Sequence, residues 1–425
     1  MDYTSKVICM KTNQIIAIAV VAVIAVAAVA LFAMLPGGEK GGNDEPTGDT
    51  VVDSAGRTVA IPENLDDGIV TVGWGILKVL SYYDARENVT QVDYQEAQTM
   101  FGSLQSHYYC YDMSEMGTHE DSTMGNFSES TIESIAKEKP SLVIMRTGIY
   151  EKYKVGCDAL AKACTLVVLD LNDLDSNFFQ QNGDGKLAVA DDLRHSIEIL
   201  GKVLKESNRS SEVLSILDAT LADITAHRYT GDKILANLSG SQMGMSSGDI
   251  NVVFPYFNPF VLAGVSNAAS EAGYAAPPWF AEISVEDFTS KYAFDAIFYD
   301  PSAPNRIDLP NNQSVLRWLY EQQGTGNEKE IYVLMTTALC GYDMLSVIAD
   351  AYYVEAVTGT IAMSEFQSKM TGLYCDLYGE KVGSSLMENL CKVYSARGAA
   401  FGVCTDMWSQ VKVGIVDGKY TFVAA

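Results

Sequence analysis

The chain reads as an α/β protein: two doubly wound α/β lobes joined by long helices, behind one N-terminal transmembrane helix. Three observations predict this. Short apolar runs alternate with helical stripes on both sides of the middle of the chain. The middle itself reads as two long amphipathic helices, and an uncharged apolar run stands near the start. The 425 residues are 48% hydrophobic, enough to fill two cores of ordinary size. Their formal charge of −25 excludes nucleic acid as a partner, because phosphates demand clustered Lys and Arg.

Taken in order, residues 1–13 form a cytoplasmic leader carrying Lys6 and Lys11, and residues 14–35 (QIIAIAVVAVIAVAAVALFAML) reach the ~30 Å needed to cross a bilayer as a helix. The basic leader and the acidic linker at 36–50 place everything after Pro36 outside the membrane. A cleaved signal peptide is the alternative, although the run is longer than an h-region of roughly 7–15 residues. The N-terminal lobe spans 51–185. VVDSAGRTVAIP (51–62) is a hairpin around Ala55–Gly56, GIVTVGW (68–74) a buried strand, and ILKVLSYY a helix. Residues 129–139 form a helix opened by Ser128 or Ser130, followed by strand SLVIMR, helix GCDALAKAC and strand TLVVLDL.

Residues 186–230 carry apolar stripes, Leu193, Ile197, Leu200 and Leu204, then Leu214, Leu217, Leu221 and Ile224. They predict two interlobe helices broken near Asn208–Ser210. The C-terminal lobe, 231–425, resumes the α/β pattern with NVVFPYF, a helix near 264–273, VEDFTSKYAFDAIFYD, helix VLRWLYEQQ, strand EIYVLMT, a long helix over 341–357 and a helical tail.

Eight cysteines match no zinc spacing, and only Cys375, Cys391 and Cys404 leave room for a bridge. Sequons at Asn88, Asn126, Asn208, Asn237 and Asn312 are glycosylation candidates for an extracellular body. QNGDGKLAVADD (180–191) has offsets like a calcium loop but lacks its first Asp and closing Glu, so a Gly-rich turn is expected. There is no H-E-x-x-H, G-x-S-x-G or P-loop. A two-lobed extracellular hydrolase or lyase and a surface adhesion protein remain the competing functions.

Four stretches together resemble the substrate-binding proteins of ABC importers for iron–siderophore, haem and cobalamin-type chelates. VVDSAGRTVAIP with GIVTVG resembles that family's D-x-x-G-R-x-V-x-I-P opening. STIESIAKEKPSLVI resembles its E-x-I-x-x-x-K-P-D-L-V-I segment, and EISVEDFTSKYAFDAIFYD the matching segment of the second lobe; the helix pair at 187–228 sits where the family has its rigid interlobe helix. The resemblance covers about 51–380 and implies a metal chelate held between the lobes, no catalysis, no cofactor of the protein's own and a monomer. It also implies an ABC permease with its ATPase as partners, docked by Glu133 and Glu286, one carboxylate per lobe.

Ligands of doubly wound sheets sit beyond the carboxyl ends of the strands. That rule selects Trp74, Arg146, Tyr150, Tyr256 and Phe257, faced by Trp279, Phe280 and Tyr299, as ligand-binding candidates. Aromatic faces suit a flat chelate, and an Arg its anionic groups. In SLQSHYYCYDMSEMGTHED (103–121), His107, Cys110, Asp112, His119 and Glu120 have the chemistry to hold a metal, but their spacing fits none; an aromatic surface loop over the cleft is expected.

Overall fold

The computed structural model describes residues 49–97, 103–120, 127–171, 178–181, 185–239, 252–274, 281–282, 284–290, 292–302, 304–336 and 343–425. The apolar run at 14–35 lies outside them. Among the described residues no helix is long and apolar enough to cross a membrane.

The chain opens with the hairpin β1 (Thr50–Val52) and β2 (Thr58–Ala60). Asp53 explains its D-x-x-G-R sequence. The carboxylate accepts from the Ala55 and Arg57 amides, pairs with the Arg57 guanidinium at 2.6 Å and reaches the Val168 amide at 3.0 Å. One buried acid thereby closes the turn and fastens it to the first sheet. Strands β3 (Ile69–Val72), β4 (Val89–Asp93), β5 (Gly117–His119), β6 (Leu142–Arg146) and β7 (Leu166–Leu169) form that sheet, all parallel, in the order β5-β4-β3-β6-β7. Helix α1 (Ile76–Leu80) follows β3, and α2 (Tyr94–Ala97) follows β4. Helix α3 (Glu129–Glu138) starts at Ser128, whose hydroxyl accepts from the Thr131 amide. It packs with α5 (Lys154–Leu160) on one sheet face over Val70, Val72, Val143 and Met145, while α4 (Thr147–Lys152) continues from β6. The other face, Ile69, Leu142, Ile144 and Leu169, joins the main core.

The hairpin β8 (Phe179–Gln181) and β9 (Leu187–Val189) leads into α6 (Asp191–Val203) and α7 (Ser207–His227), the latter about 31 Å long at ~1.5 Å per residue. The helix break falls at Leu204–Glu206, with Lys205 at φ 60°, a few residues before the expected Asn208–Ser210. Gln180 donates to Asp191 at 3.0 Å, so the first and last residues of the calcium-like stretch bond each other instead; Asn182 and Asp184 lie outside the described residues.

The second sheet is mixed. Strand β10 (Ile234–Ser239) is central, with β11 (Val252–Val253), β12 (Ser266–Asn267), β13 (Ala281–Glu282), β14 (Ala296–Asp300), β15 (Glu330–Val333), β16 (Gln410–Val416) and β17 (Lys419–Ala424) around it. Strands β10, β14 and β15 are parallel, whereas β11, β13, β16 and β17 run antiparallel at the two edges. The second lobe therefore departs from a purely doubly wound sheet. Its helices are α8 (Asn258–Ala263), α9 (Ala268–Glu271), α10 (Val285–Ser290), α11 (Pro310–Gln322), α12 (Met344–Thr358), α13 (Met363–Tyr378) and α14 (Glu380–Ala399). The expected helical tail ends at Ala399, and β16–β17 complete the sheet.

The segment expected to be a surface loop is buried at 104–107, where it forms a strap between the lobes, and much of 112–120 is exposed. Its single turn of 3₁₀ helix, Ser106–Cys110, lies against α14. Ser106 and Tyr378 share a hydroxyl bond at 2.9 Å, Tyr82 stacks on Tyr378 at 5.9 Å, and Tyr394 donates to the Leu104 carbonyl at 3.2 Å. Arg209 on α7 adds bonds to the Tyr82 and Leu377 carbonyls. One hydrophobic core consequently runs through both lobes. The six described cysteines are free. Asn237 and Asn312 are buried, and the Asn237 amide brackets Phe254 by bonding both its N–H and its C=O. These two sequons are structural. Asn88 and Asn208 are more open, and Asn126 lies outside the described residues.

Candidate interlobe binding cleft

Strand order in the first sheet marks where a ligand can sit. From β3 the chain steps outward to β4 and β5, and then returns to β6 on the other side. The connections after β3 and β6 diverge there, leaving a crevice beyond their carboxyl ends. Residues 73–75 leave β3 as Gly-Trp-Gly, with Gly73 at φ 105° and Gly75 at φ 92°. A Cβ on Gly73 would stand 2.9 Å from Arg146 Cδ and 2.6 Å from Ile149 Cδ1, so a side chain there would displace Arg146. Arg146 ends β6, half-buried, and Trp74 is only 6% exposed. Arg146 thus packs against Gly73, the residue before Trp74, at the switch point.

Two charged residues that sequence reasoning missed complete this lip. Lys78 on α1 is buried, and Glu96 on α2 accepts the Gly75 amide at 2.8 Å. Burial pushes the Glu96 carboxyl up to about 8, with the Asp93 charge adding to it and Gly75, Lys78 and Arg146 opposing. The signal for Lys78 was a lone lysine in the otherwise apolar ILKVL. Glu96 left none.

Opposite, Asp300 ends β14, accepting from Thr336 Oγ1 at 3.0 Å and from the Ser302 amide at 2.9 Å. Burial raises its carboxyl to about 6. Asp343, at the start of α12, accepts from Ser346 at 2.6 Å, and Asp350 accepts from the Met335 amide and the Trp408 indole. A narrow crevice lined by Gly75, Lys78, Tyr82, Phe178, Asp343 and Met344 joins the lips. The first lobe thus brings Lys78 and Arg146 around the buried Glu96, and the second lobe contributes Asp343 to the crevice.

The remaining candidates are placed elsewhere. Tyr150 belongs to the outer layer over α3 and α5; the Arg57 guanidinium lies 4.6 Å above its ring and its hydroxyl donates to Asp158 at 2.7 Å. Phe257 is a core residue between Phe254 and Phe260, and Tyr299 is fully buried with its ring 4.6 Å from Phe422. Tyr256 is 48% exposed. Trp279 and Phe280 lie outside the described residues. Glu133 is half-buried on α3 and Glu286 exposed on α10. The residues of 103–121 with metal-binding chemistry scatter. His107 is fully buried, His119 is held between the Thr71 and Glu120 carbonyls, and Asp112 and Glu120 accept from nearby hydroxyls at the surface. Among the described residues no group of three or more His, Cys, Asp or Glu is arranged to hold a metal.

No family model and no curated protein matches the chain. Solved structures do. A periplasmic solute-binding protein from Veillonella parvula is 14% identical, with a TM-score of 0.56 over 81% of this chain and 97% of that one. A TroA-like periplasmic binding protein, FepB, from the same organism is 16% identical, with a TM-score of 0.52 over 78% and 96%. The Haemophilus influenzae molybdate-binding protein MolA is 14% identical, with a TM-score of 0.53 over 78% and 98%. The fold is that of the periplasmic binding proteins of ABC importers. The neighbours are solute-binding proteins, not enzymes.

Proposed function

We propose that the chain is an extracytoplasmic receptor that binds an anionic metal chelate between its lobes and delivers it to an ABC permease driven by a separate ATPase. Ferric siderophores, haem and corrinoids are the cargo class; the chain itself does no covalent chemistry. The observation that supports this reading is Arg146 packed against Gly73, next to Trp74, at the switch point, with Lys78 and Arg146 both acting on the Glu96 carboxylate. An indole supplies a stacking surface for a flat ligand, and two cations draw anionic oxygen donors out of water. Residues 14–35 anchor the receptor at the outer membrane face, and the body acts as a monomer.

Tryptophan-fluorescence titration with ferric siderophores, haemin and cobalamin tests the cargo, with iron-free siderophores correcting for absorbance. Saturable one-to-one quenching by one chelate supports the assignment; silence towards all of them removes it. Arg146→Ala should weaken cargo binding by about 1.5–3 kcal/mol, the scale of a charged hydrogen bond. An unchanged dissociation constant would take Arg146 out of the site. Glu133 and Glu286 are the permease contacts in this reading. Replacing both with Ala should abolish uptake and leave cargo affinity intact; a loss of affinity would disqualify them.

A further inference from the structure

A second concavity lies on the C-terminal lobe, between α13, α14 and the start of β16, with about 1130 Å³ of empty space, its open mouth included. Its inner wall is aromatic, with Tyr332 and Trp408 half-buried at the surface and Tyr353 and Phe366 almost wholly buried behind them. Tyr332 meets Tyr353 at 6.2 Å, Tyr353 meets Phe366 at 5.6 Å, and Phe366 meets Trp408 at 5.2 Å, the first and last pairs edge-to-face. Met363 and Met387 flank these rings, and Glu388 stands at the rim. No Lys, Arg or His lines the pocket. Lys392 pairs with Glu388 at 2.5 Å, but both are largely exposed, so water screens the pair.

Trp408 is fixed with unusual care. Its backbone is left-handed at φ 55°, a costly conformation for a bulky aromatic residue. Its amide donates to the Val333 carbonyl at 2.9 Å and its indole N–H to Asp350 at 3.1 Å. The ring is thereby held as a wall of the pocket. Rigid aromatic faces, soft sulfur, a rim carboxylate and the absence of basic side chains suit one kind of ligand, a cation with an apolar coat.

We propose that this pocket binds a small alkylammonium cation, independently of the cargo cleft. Calorimetric titration of the full-length protein with choline and tetramethylammonium tests it. Dimethylbutanol, the uncharged carbon isostere of choline, serves as the control. Saturable one-to-one binding of the cations, roughly ten-fold tighter than the alcohol, is expected from the charge–ring attraction. Met387→Lys, which puts a fixed positive charge at the half-buried rim, should abolish it without touching the aromatic wall. Trp408→Leu should abolish it too, and Glu388→Gln should weaken it about three-fold. Arg146→Ala should leave it unchanged. Equal affinity for the neutral alcohol, no saturable heat, or full binding by Met387→Lys would overturn the proposal.

Discussion

Two tyrosines on neighbouring helices test whether the seam between strap and C-terminal lobe rests on hydrogen bonds or on packing alone. The Tyr394 hydroxyl accepts the Thr336 amide at 2.8 Å and donates to the Leu104 carbonyl at 3.2 Å. Thr336 and Leu104 are both buried. Tyr394→Phe keeps the ring but strands an amide and a carbonyl from opposite lobes. A buried polar group left unpaired costs about 1–3 kcal/mol, and the longer second bond argues for its lower end, so the loss should total about 2–4 kcal/mol. With an unfolding entropy of about 2.1 cal/mol/K per residue over about 375 residues, the melting temperature should fall by roughly 3–5 °C. Tyr374→Phe is the matched control. That hydroxyl is buried with no hydrogen-bond partner, so removing it should be neutral or stabilising by up to about 1 kcal/mol. Urea unfolding followed by fluorescence and far-ultraviolet circular dichroism would measure both. A Tyr394→Phe loss below about 0.5 kcal/mol, or equal losses for the two variants, would refute the hydrogen-bond account.

Two further perturbations follow from the cleft and from α12. Burial raises the Glu96 and Glu355 carboxyls to about 8, and neither Glu355 oxygen has a hydrogen-bond partner. The folded chain then holds protons that the unfolded chain has released above its ordinary carboxylate range. The contribution of each acid is complete below about pH 4.5 and is lost as pH rises towards 8. Denaturation midpoints should therefore decline from pH 5 to 8, and Glu355→Gln should flatten the decline; a midpoint rising through that window would contradict it. Gly73→Val should cost about 2 kcal/mol or more, since φ 105° excludes β-branched residues and the new side chain would collide with Arg146. Cargo affinity and stability should fall together, and a stable variant with full affinity would show that Arg146 stands off the site.

Local signals made the first lobe readable. SLVIMR is a continuous apolar run because both faces of β6 are covered, and Ser128 three residues before Thr131 is a helix start by chemistry alone. The Trp74 and Arg146 positions followed from strand ends, which the sequence does mark. Tyr150 stands close behind the same strand end, but α4 begins at once after β6 and turns it towards Arg57. Tyr299 failed because alternation along β14 says which residues share a face, not which face is open. Glu96, Lys78 and the strap were hidden for another reason. Glu96 takes its role from Gly75 across the β3–β4 connection, and Lys78 and the strap from Asp343 and Tyr378 hundreds of positions away; no local pattern records such partners. The terminal hairpin was missed: a helical tail was expected there, although QVKVGIV alternates before the DG turn, because only the β15 edge shows what the hairpin pairs with.

The strap changes what kind of machine this receptor can be. A body hinged on one helix opens like a jaw, and its cargo controls the gape. Here the jaw is sewn at a second place, where Tyr82, Ser106 and Leu104 meet Tyr378 and Tyr394, so swinging the lobes apart would tear aromatic stacking and buried hydroxyl bonds together. On the function proposed above, such a body would keep nearly the same lobe arrangement whether full or empty, and the seam would limit how far cargo could close it.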